Sequence, residues 1–274
     1  MKLCRFQPLE FSAKDVGRSR HEVHPEPRSG IIEGKTVWEI SGELWGPRER
    51  TGHSWPLETV KLLPPSAPSK IVCVGKNYMD HTAEMGGPLP KEPILFLKPP
   101  SSINAPEDPV ILPAISHRVD YEGEIAVVIG RRCRHQRANE DVHPYILGYT
   151  CFNDVTARDL QKLDGQWTRG KSFDTFCPFG PVLETNTPSA NARVETFVNG
   201  VKKQSARVAE MIFSVDVIIR FIAQVMTLEP GDLIATGTPA GIGPVVAGDV
   251  MEVSVTGIGT LRNPVIDSAD SPED

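Results

Sequence analysis

A chain of 274 residues with 39% hydrophobic and 23% charged residues has the composition of an ordinary soluble globular protein, long enough to bury a substantial core. Its formal net charge of -6, with no basic run denser than Arg131-Arg132-Cys133-Arg134, argues against a nucleic-acid partner. There is no membrane-spanning apolar run, no apolar signal-peptide core after Met1-Lys2-Leu3-Cys4-Arg5, and no Cys-x-x-Cys among five scattered cysteines; the expectation is a reduced, cytoplasmic protein without membrane association, disulfide framework or zinc cluster.

The many prolines and glycines predict turns between short strands rather than a helical bundle. Residues 1–66 read as a small N-terminal β-rich domain, in which Ser29 to Ile40 form two short strands around a Glu33-Gly34-Lys35 turn. His21, His24 and His53 lie in polar, turn-rich sequence and read as surface residues. The proline-rich connector Leu63-Pro64-Pro65-Ser66-Ala67-Pro68 leads into a catalytic domain over residues 67–274, with an acidic tail from about 268 expected to be disordered. That domain opens with a buried strand, Lys70 to Gly75, which runs straight into the polar segment Lys76 to Gly87. If this segment is helical, His81 and Glu84 share a face, and the carboxylate could orient the imidazole as a general base; a surface turn with an incidental pair is the competing reading.

Ile94 to Lys98 and Val110 to Leu112 are further short strands. Asp120-Tyr121-Glu122-Gly123-Glu124 leads into Ile125-Ala126-Val127-Val128-Ile129-Gly130, a run that reads as a strand covered on both faces. Strand side chains alternate, so Glu122 and Glu124 point the same way, and their repulsion requires water at a sheet edge, a pair of Lys or Arg side chains, or a divalent cation. A second apolar run, His143 to Asn153, ends at Asp154; were the two runs antiparallel neighbours, three carboxylates could converge. Thr156 to Gln161 begins a helical turn that carries Arg158, and Lys171 lies in a glycine- and aromatic-bearing loop, either as a structural counter-ion or as a contact for a developing oxyanion. Glu195 to Gln204 is a hairpin on an Asn-Gly turn. Ser214 caps one helix running to about Leu228, with Val217, Ile218, Phe221, Ile222, Val225 and Met226 as its core-facing stripe. After a strand at Leu233 to Thr236, the loop Gly237-Thr238-Pro239-Ala240-Gly241-Ile242-Gly243 suits close backbone approach by a ligand but lacks the Gly-Lys-Ser/Thr ending of a Walker loop.

Five of these stretches together carry a resemblance: Gly75-Lys76-Asn77-Tyr78 with His81 and Glu84; Asp120 to Glu124; Asn153-Asp154 with Arg158 and Gln161; Gly170-Lys171-Ser172-Phe173-Asp174; and Thr236 to Gly243. Over about residues 69–265 the chain resembles the fumarylacetoacetate hydrolase family, in its acylpyruvase or 2-hydroxyhepta-2,4-diene-1,7-dioate isomerase-like branch. The resemblance implies an α+β, mainly β fold of the β-sandwich roll type with few helices, usually a homodimer, and Mg²⁺ or Mn²⁺ held by Glu122, Glu124 and Asp154. It implies a small 2-oxo or 1,3-dicarbonyl acid as substrate. By the same resemblance His81 and Glu84 would sit on a lid and activate water, Lys171 would contact the substrate oxygen where charge grows, Arg158 and Gln161 would hold its carboxylate, and Thr238, with Thr236 equally near, would touch it from the glycine-rich loop. The expected reaction is hydrolysis of a C-C bond in an acylpyruvate-type (2,4-dioxo) acid through a metal-stabilised enolate. The alternative is an isomerase, tautomerase or oxaloacetate decarboxylase acting on a 2-oxo or 2-hydroxy-dienoate diacid at the same site.

Overall fold

Side-chain alternation along one strand divides the core of this protein in two. The structure is a computed structural model that describes residues 1–9, 26–86, 88–137 and 139–270. In it Ile125, Val127 and Ile129 enter one buried cluster while Ala126 and Val128 enter another, so the apolar run is covered on both faces as its composition requires.

In chain order the N-terminal residues form β1 (Lys2–Pro8), β2 (Arg28–Glu33), β3 (Thr36–Ser41), β4 (Glu49–Pro56) and β5 (Val60–Leu63). There follow β6 (Ile71–Gly75), α1 (Met79–Met85), β7 (Ile94–Lys98), β8 (Ile103–Asn104), β9 (Val110–Leu112), β10 (Val119–Tyr121) and β11 (Gly123–Ile129). Then come β12 (Ile146–Asn153), β13 (Thr156–Ala157), α2 (Arg158–Asp164), α3 (Thr168–Lys171), β14 (Cys177–Glu184), β15 (Arg193–Val198) and β16 (Val201–Arg207). The chain closes with α4 (Val215–Val225), β17 (Leu233–Ala235), β18 (Gly243–Val245), β19 (Val250–Val255) and β20 (Gly259–Asp267). The fold is α+β and mainly β.

The largest sheet has the order β4-β3-β2-β1-β14-β12-β11-β17-β6-β7, with β5 on β1 and β8 on β14. The N-terminal strands are thus hydrogen-bonded into this sheet through β1 and β14, with Lys2 opposite Glu184. A second sheet, β16-β15-β19-β20-β9, stacks with α4 on one face of the first; Val194, Val253, Val255 and Leu261 share a cluster there with Ile218, Ile219 and Ile222. A third, short sheet has the order β13-β10-β18. Strands β11 and β12 run antiparallel, with Gly123 opposite Asn153. That register puts Glu124 opposite Phe152 and brings Asp154 to Glu122 just beyond the paired ends, where Asp154 N donates to Glu122 O at 2.9 Å.

Two features differ from the sequence reading. The residues leading into the apolar run form a strand of their own, β10, separated from β11 at Glu122 because β10 pairs with β13 and β18 while β11 pairs with β12 and β17. The helix expected to reach Leu228 ends at Val225, since Leu228 forms a bridge with Cys133. Its buried face is Ile218, Ile219, Ile222 and Ala223, whereas Val217 and Val225 of the expected stripe are exposed. Of the residues placed on the surface by sequence, His53 is exposed beside Glu39, and His21 and His24 lie outside the described residues. Ser268–Asp270 form a short 3-10 turn, and residues 271–274 lie outside the described residues.

Glycine is required between the two glutamates by close approach of β15. A Cβ at Gly123 would lie 2.0 Å from Thr196 Oγ1 and 3.3 Å from Val253 Cγ1. We predict that Gly123→Ala lowers stability by about 1–3 kcal/mol through overpacking, seen as a fall in urea midpoint at unchanged slope; an unaltered midpoint would contradict this packing.

Candidate active site

Three elements of the large sheet carry the chemistry to one place. Glu122 and Glu124 extend the face of β11 that bears Ala126 and Val128, and Asp154 extends the face of β12 that bears Phe152. All three carboxylates are buried, with an oxygen from each lying within 4.8 Å of the other two. Backbone order holds them there. Asn153 Oδ1 accepts from Glu122 N at 3.0 Å, Gln204 Oε1 accepts from Gly123 N at 2.9 Å, and Gly237 N, just past β17, donates to Glu124 Oε2 at 2.7 Å.

Buried like charges at this spacing need cations. Lys171, at the end of α3, donates to Glu122 Oε2 at 2.8 Å and to Asp154 Oδ2 at 2.6 Å; Lys98, at the end of β7, donates to Asp154 Oδ1 at 2.7 Å. Arg158, at the start of α2, contacts Asp120 Oδ2 at 2.9 Å, Gln161 Oε1 at 2.7 Å and Glu122 Oε1. Burial by itself would raise the Glu122 carboxyl, but Lys171 and Arg158 outweigh it and hold the group well below the ordinary glutamate range. Burial likewise opposes charge on Lys171, yet Asp154 and Glu122 hold its pKa above that of an ordinary lysine. Glu124 differs: burial pushes it up, Asp154 and Glu122 push it further, and its donor is a backbone N–H. No ion-pair partner of Glu124 occurs among the described residues.

This donor set fits a hard divalent cation. It offers only oxygens, three carboxylates from two strand ends, and it leaves one buried carboxylate without a cation.

Facing the carboxylates is α1. Asn77 fixes its approach by donating to Thr236 O at 2.7 Å and accepting from Phe213 N at 2.7 Å. Within the helix His81 Nδ1 lies 3.2 Å from Glu84 Oε2, as the i, i+3 spacing predicts, and Glu84 also accepts from Gly241 N at 3.2 Å. One cavity is lined by His81, Glu122, Glu124, Asp154, Arg158, Gln161, Lys171 and Thr238. The remaining site expectation, Glu84, stands behind His81. Thr238 Oγ1 donates to Gly123 O at 2.9 Å, whereas Thr236 is turned away and donates to Ile125 O at 2.8 Å.

Sequence reasoning gave no role to Lys98, Asp120, Asn153 or Gln204, nor to Phe96 and Trp167, which form an aromatic wall with ring centroids 5.2 Å apart. Lys98 had a readable signal: it closes an apolar strand, as Asp154 follows one. Asp120 and Asn153 stood inside stretches that carry the resemblance without a role of their own, and Gln204 acts through Gly123, remote in sequence.

Residues 70–266 match the model of the fumarylacetoacetate (FAA) hydrolase C-terminal domain, and residues 20–65 match that of an Rv2993c-like N-terminal domain. The chain is 51% identical to Protein Rv2993c of Mycobacterium tuberculosis over 84% of this chain and 88% of that one. It is 43% identical to the human mitochondrial oxaloacetate tautomerase FAHD2A, over 76% of this chain and 70% of that one. A solved structure of 2-hydroxyhepta-2,4-diene-1,7-dioate isomerase from Mycobacterium marinum superposes with a TM-score of 0.86 at 44% identity, covering 98% of this chain and all 100% of that one.

The raised Glu124 has a pH consequence. A carboxyl whose folded pKa lies above its unfolded value favours the folded state fully below the unfolded pKa, and that contribution is lost as pH rises through the folded pKa. Chelated wild-type protein should therefore lose stability as pH rises through this window above the ordinary glutamate range, and Glu124→Gln should not. Parallel pH dependences of Tm for the two proteins in chelator would contradict the assignment.

Proposed function

The chain belongs to the fumarylacetoacetate hydrolase family, and on that premise we propose that it is an isomerase or tautomerase of small 2-oxo or 2-hydroxy-dienoate diacids that requires Mg²⁺ or Mn²⁺. The observation that carries the reading is the opposition, across one narrow cavity, of a single imidazole-carboxylate pair and a buried carboxylate cluster. Names of relatives favour it over acylpyruvate hydrolysis, the main sequence expectation: an oxaloacetate tautomerase and a heptadiene-dioate isomerase stand close to this chain. Those two reactions move a proton and need no water as a reactant.

Glu122, Glu124 and Asp154 would hold the cation. When bound, it would supply Lewis-acid stabilisation for the negative charge of an enolate. Glu84 would accept from His81 Nδ1–H, leaving Nε2 as the base; Nε2 would take the proton from the carbon beside the 2-oxo group. In a tautomerase the same proton returns to the oxygen, and in a double-bond isomerase a proton returns to a carbon further along the chain, so each reaction balances without a co-reactant. Lys171 would offer Nζ–H to the oxygen where charge grows, Arg158 and Gln161 would hold the proximal carboxylate, and Thr238 would border it. Phe96 and Trp167 would keep this region dry, which strengthens each of these contacts. Work as a homodimer, and in the cytoplasm, belongs to the same proposal; all five cysteines are unpaired and buried, and no described helix is long and apolar enough to cross a membrane.

The test is solvent-deuterium exchange at C3 of oxaloacetate, followed by NMR with Mg²⁺ and with chelator, alongside product analysis on acetylpyruvate. We expect metal-dependent exchange without release of cleaved acid, and a fall of about 10²- to 10⁴-fold in His81→Ala with Mg²⁺ affinity retained. Faster cleavage of acetylpyruvate than exchange on oxaloacetate would return the protein to the hydrolase class.

A further inference from the structure

A dicarboxylate presents two negative ends, and the floor of the cavity is matched to only one. Around that floor Glu122, Glu124, Asp154 and Asp120 carry four formal negative charges, against four positive charges on Lys98, Lys171, Arg158 and Arg118. A divalent cation would add two positive charges there, which one substrate carboxylate and the developing enolate oxygen would neutralise. Three of the five guanidinium N–H groups of Arg158 are already donated to Asp120, Gln161 and Glu122. A second carboxylate must find its cation elsewhere.

Lys76 is the remaining cation on the cavity wall, beyond Lys171 and Arg158 at the floor. It is half-buried, and among the described residues its Nζ donates only to the Gly86 carbonyl, at 3.1 Å, which leaves two N–H groups free. Its backbone sits at φ 57°, a left-handed conformation that costs a lysine about 1–2 kcal/mol and a glycine almost nothing. The neighbouring Gly75 is packed under the aromatic wall, where a Cβ would meet Trp167 at 2.6 Å. At the exit of β6, Lys76 thus lines the cavity together with Phe96 and Trp167. Strained residues held by their surroundings concentrate where a ligand is clamped.

We infer that Lys76 is a specificity-determining residue that binds the distal carboxylate of a 2-oxo dicarboxylate. This rests on the proposed function and adds the group that separates diacids from monoacids. The experiment compares C3 deuterium exchange on oxaloacetate and on 2-oxobutanoate, which carries a methyl group in place of the distal carboxylate, in Mg²⁺-loaded wild type, Lys76→Gln and Lys76→Arg. In Lys76→Gln the KM for oxaloacetate should rise about tenfold, the worth of one charged hydrogen bond near solvent. The KM for 2-oxobutanoate should stay within twofold, and Lys76→Arg should recover most of the preference. A parallel rise in KM for both acids, a loss in kcat alone, or no change would overturn the assignment while leaving the proposed function standing. Absence of exchange on both acids by wild type would overturn both inferences.

Discussion

Everything at this site depends on burying three carboxylates together without letting their charges expel one another. In isolation each buried ion would cost several kcal/mol. The fold answers with cations that come from three separate segments, the ends of β7 and α3 and the start of α2, so the site closes only when distant parts of the chain have packed. Lys98, Lys171 and Arg158 satisfy Glu122 and Asp154 and stop short of Glu124. The compensation is incomplete at one carboxylate. A divalent cation seated there would neutralise that uncompensated charge.

The supporting architecture follows from this demand. A sheet buried on both faces supplies rigid strand ends, and the antiparallel register of β11 and β12 brings Glu122 beside Asp154, with Glu124 one step further along the same face. The second sheet presses Thr196 against Gly123 and lends Gln204 to its amide, fixing the spacing of the two glutamates from behind. In front, α1 rests on the glycine-rich loop through Glu84 and Gly241, so the imidazole and the carboxylate cluster meet across a cavity that Phe96, Trp167 and Lys76 also line.

Much of this was legible in the chain because period-two and i, i+3 geometry are local. Glu122, Gly123 and Glu124 announce two carboxylates on one face, and the spacing of His81 and Glu84 announces a pair on one helical turn; both arrangements are present. The break at Glu122 was not legible, because it comes from β10 and β11 pairing with different partners. The face of α4 was misread for a related reason: Val217 and Val225 fit a helical stripe, but the second sheet approaches from the side of Ile219 and Ala223. Lys98 closes an apolar strand, which is a signal in itself, but a strand-ending lysine ordinarily reaches solvent, and its partner Asp154 shows only in the packing. Reaction type was least legible, since cleavage, isomerisation and tautomerisation all begin from one enolate.

The account stands on a divalent cation seated among Glu122, Glu124 and Asp154. Its most direct test is a crystal structure of the full-length protein grown with Mn²⁺, with anomalous difference maps recorded at the manganese edge. The account predicts one strong peak bonded to oxygens of all three carboxylates. A map with no peak at that position at saturating Mn²⁺, or with the ion held by other residues, would contradict it.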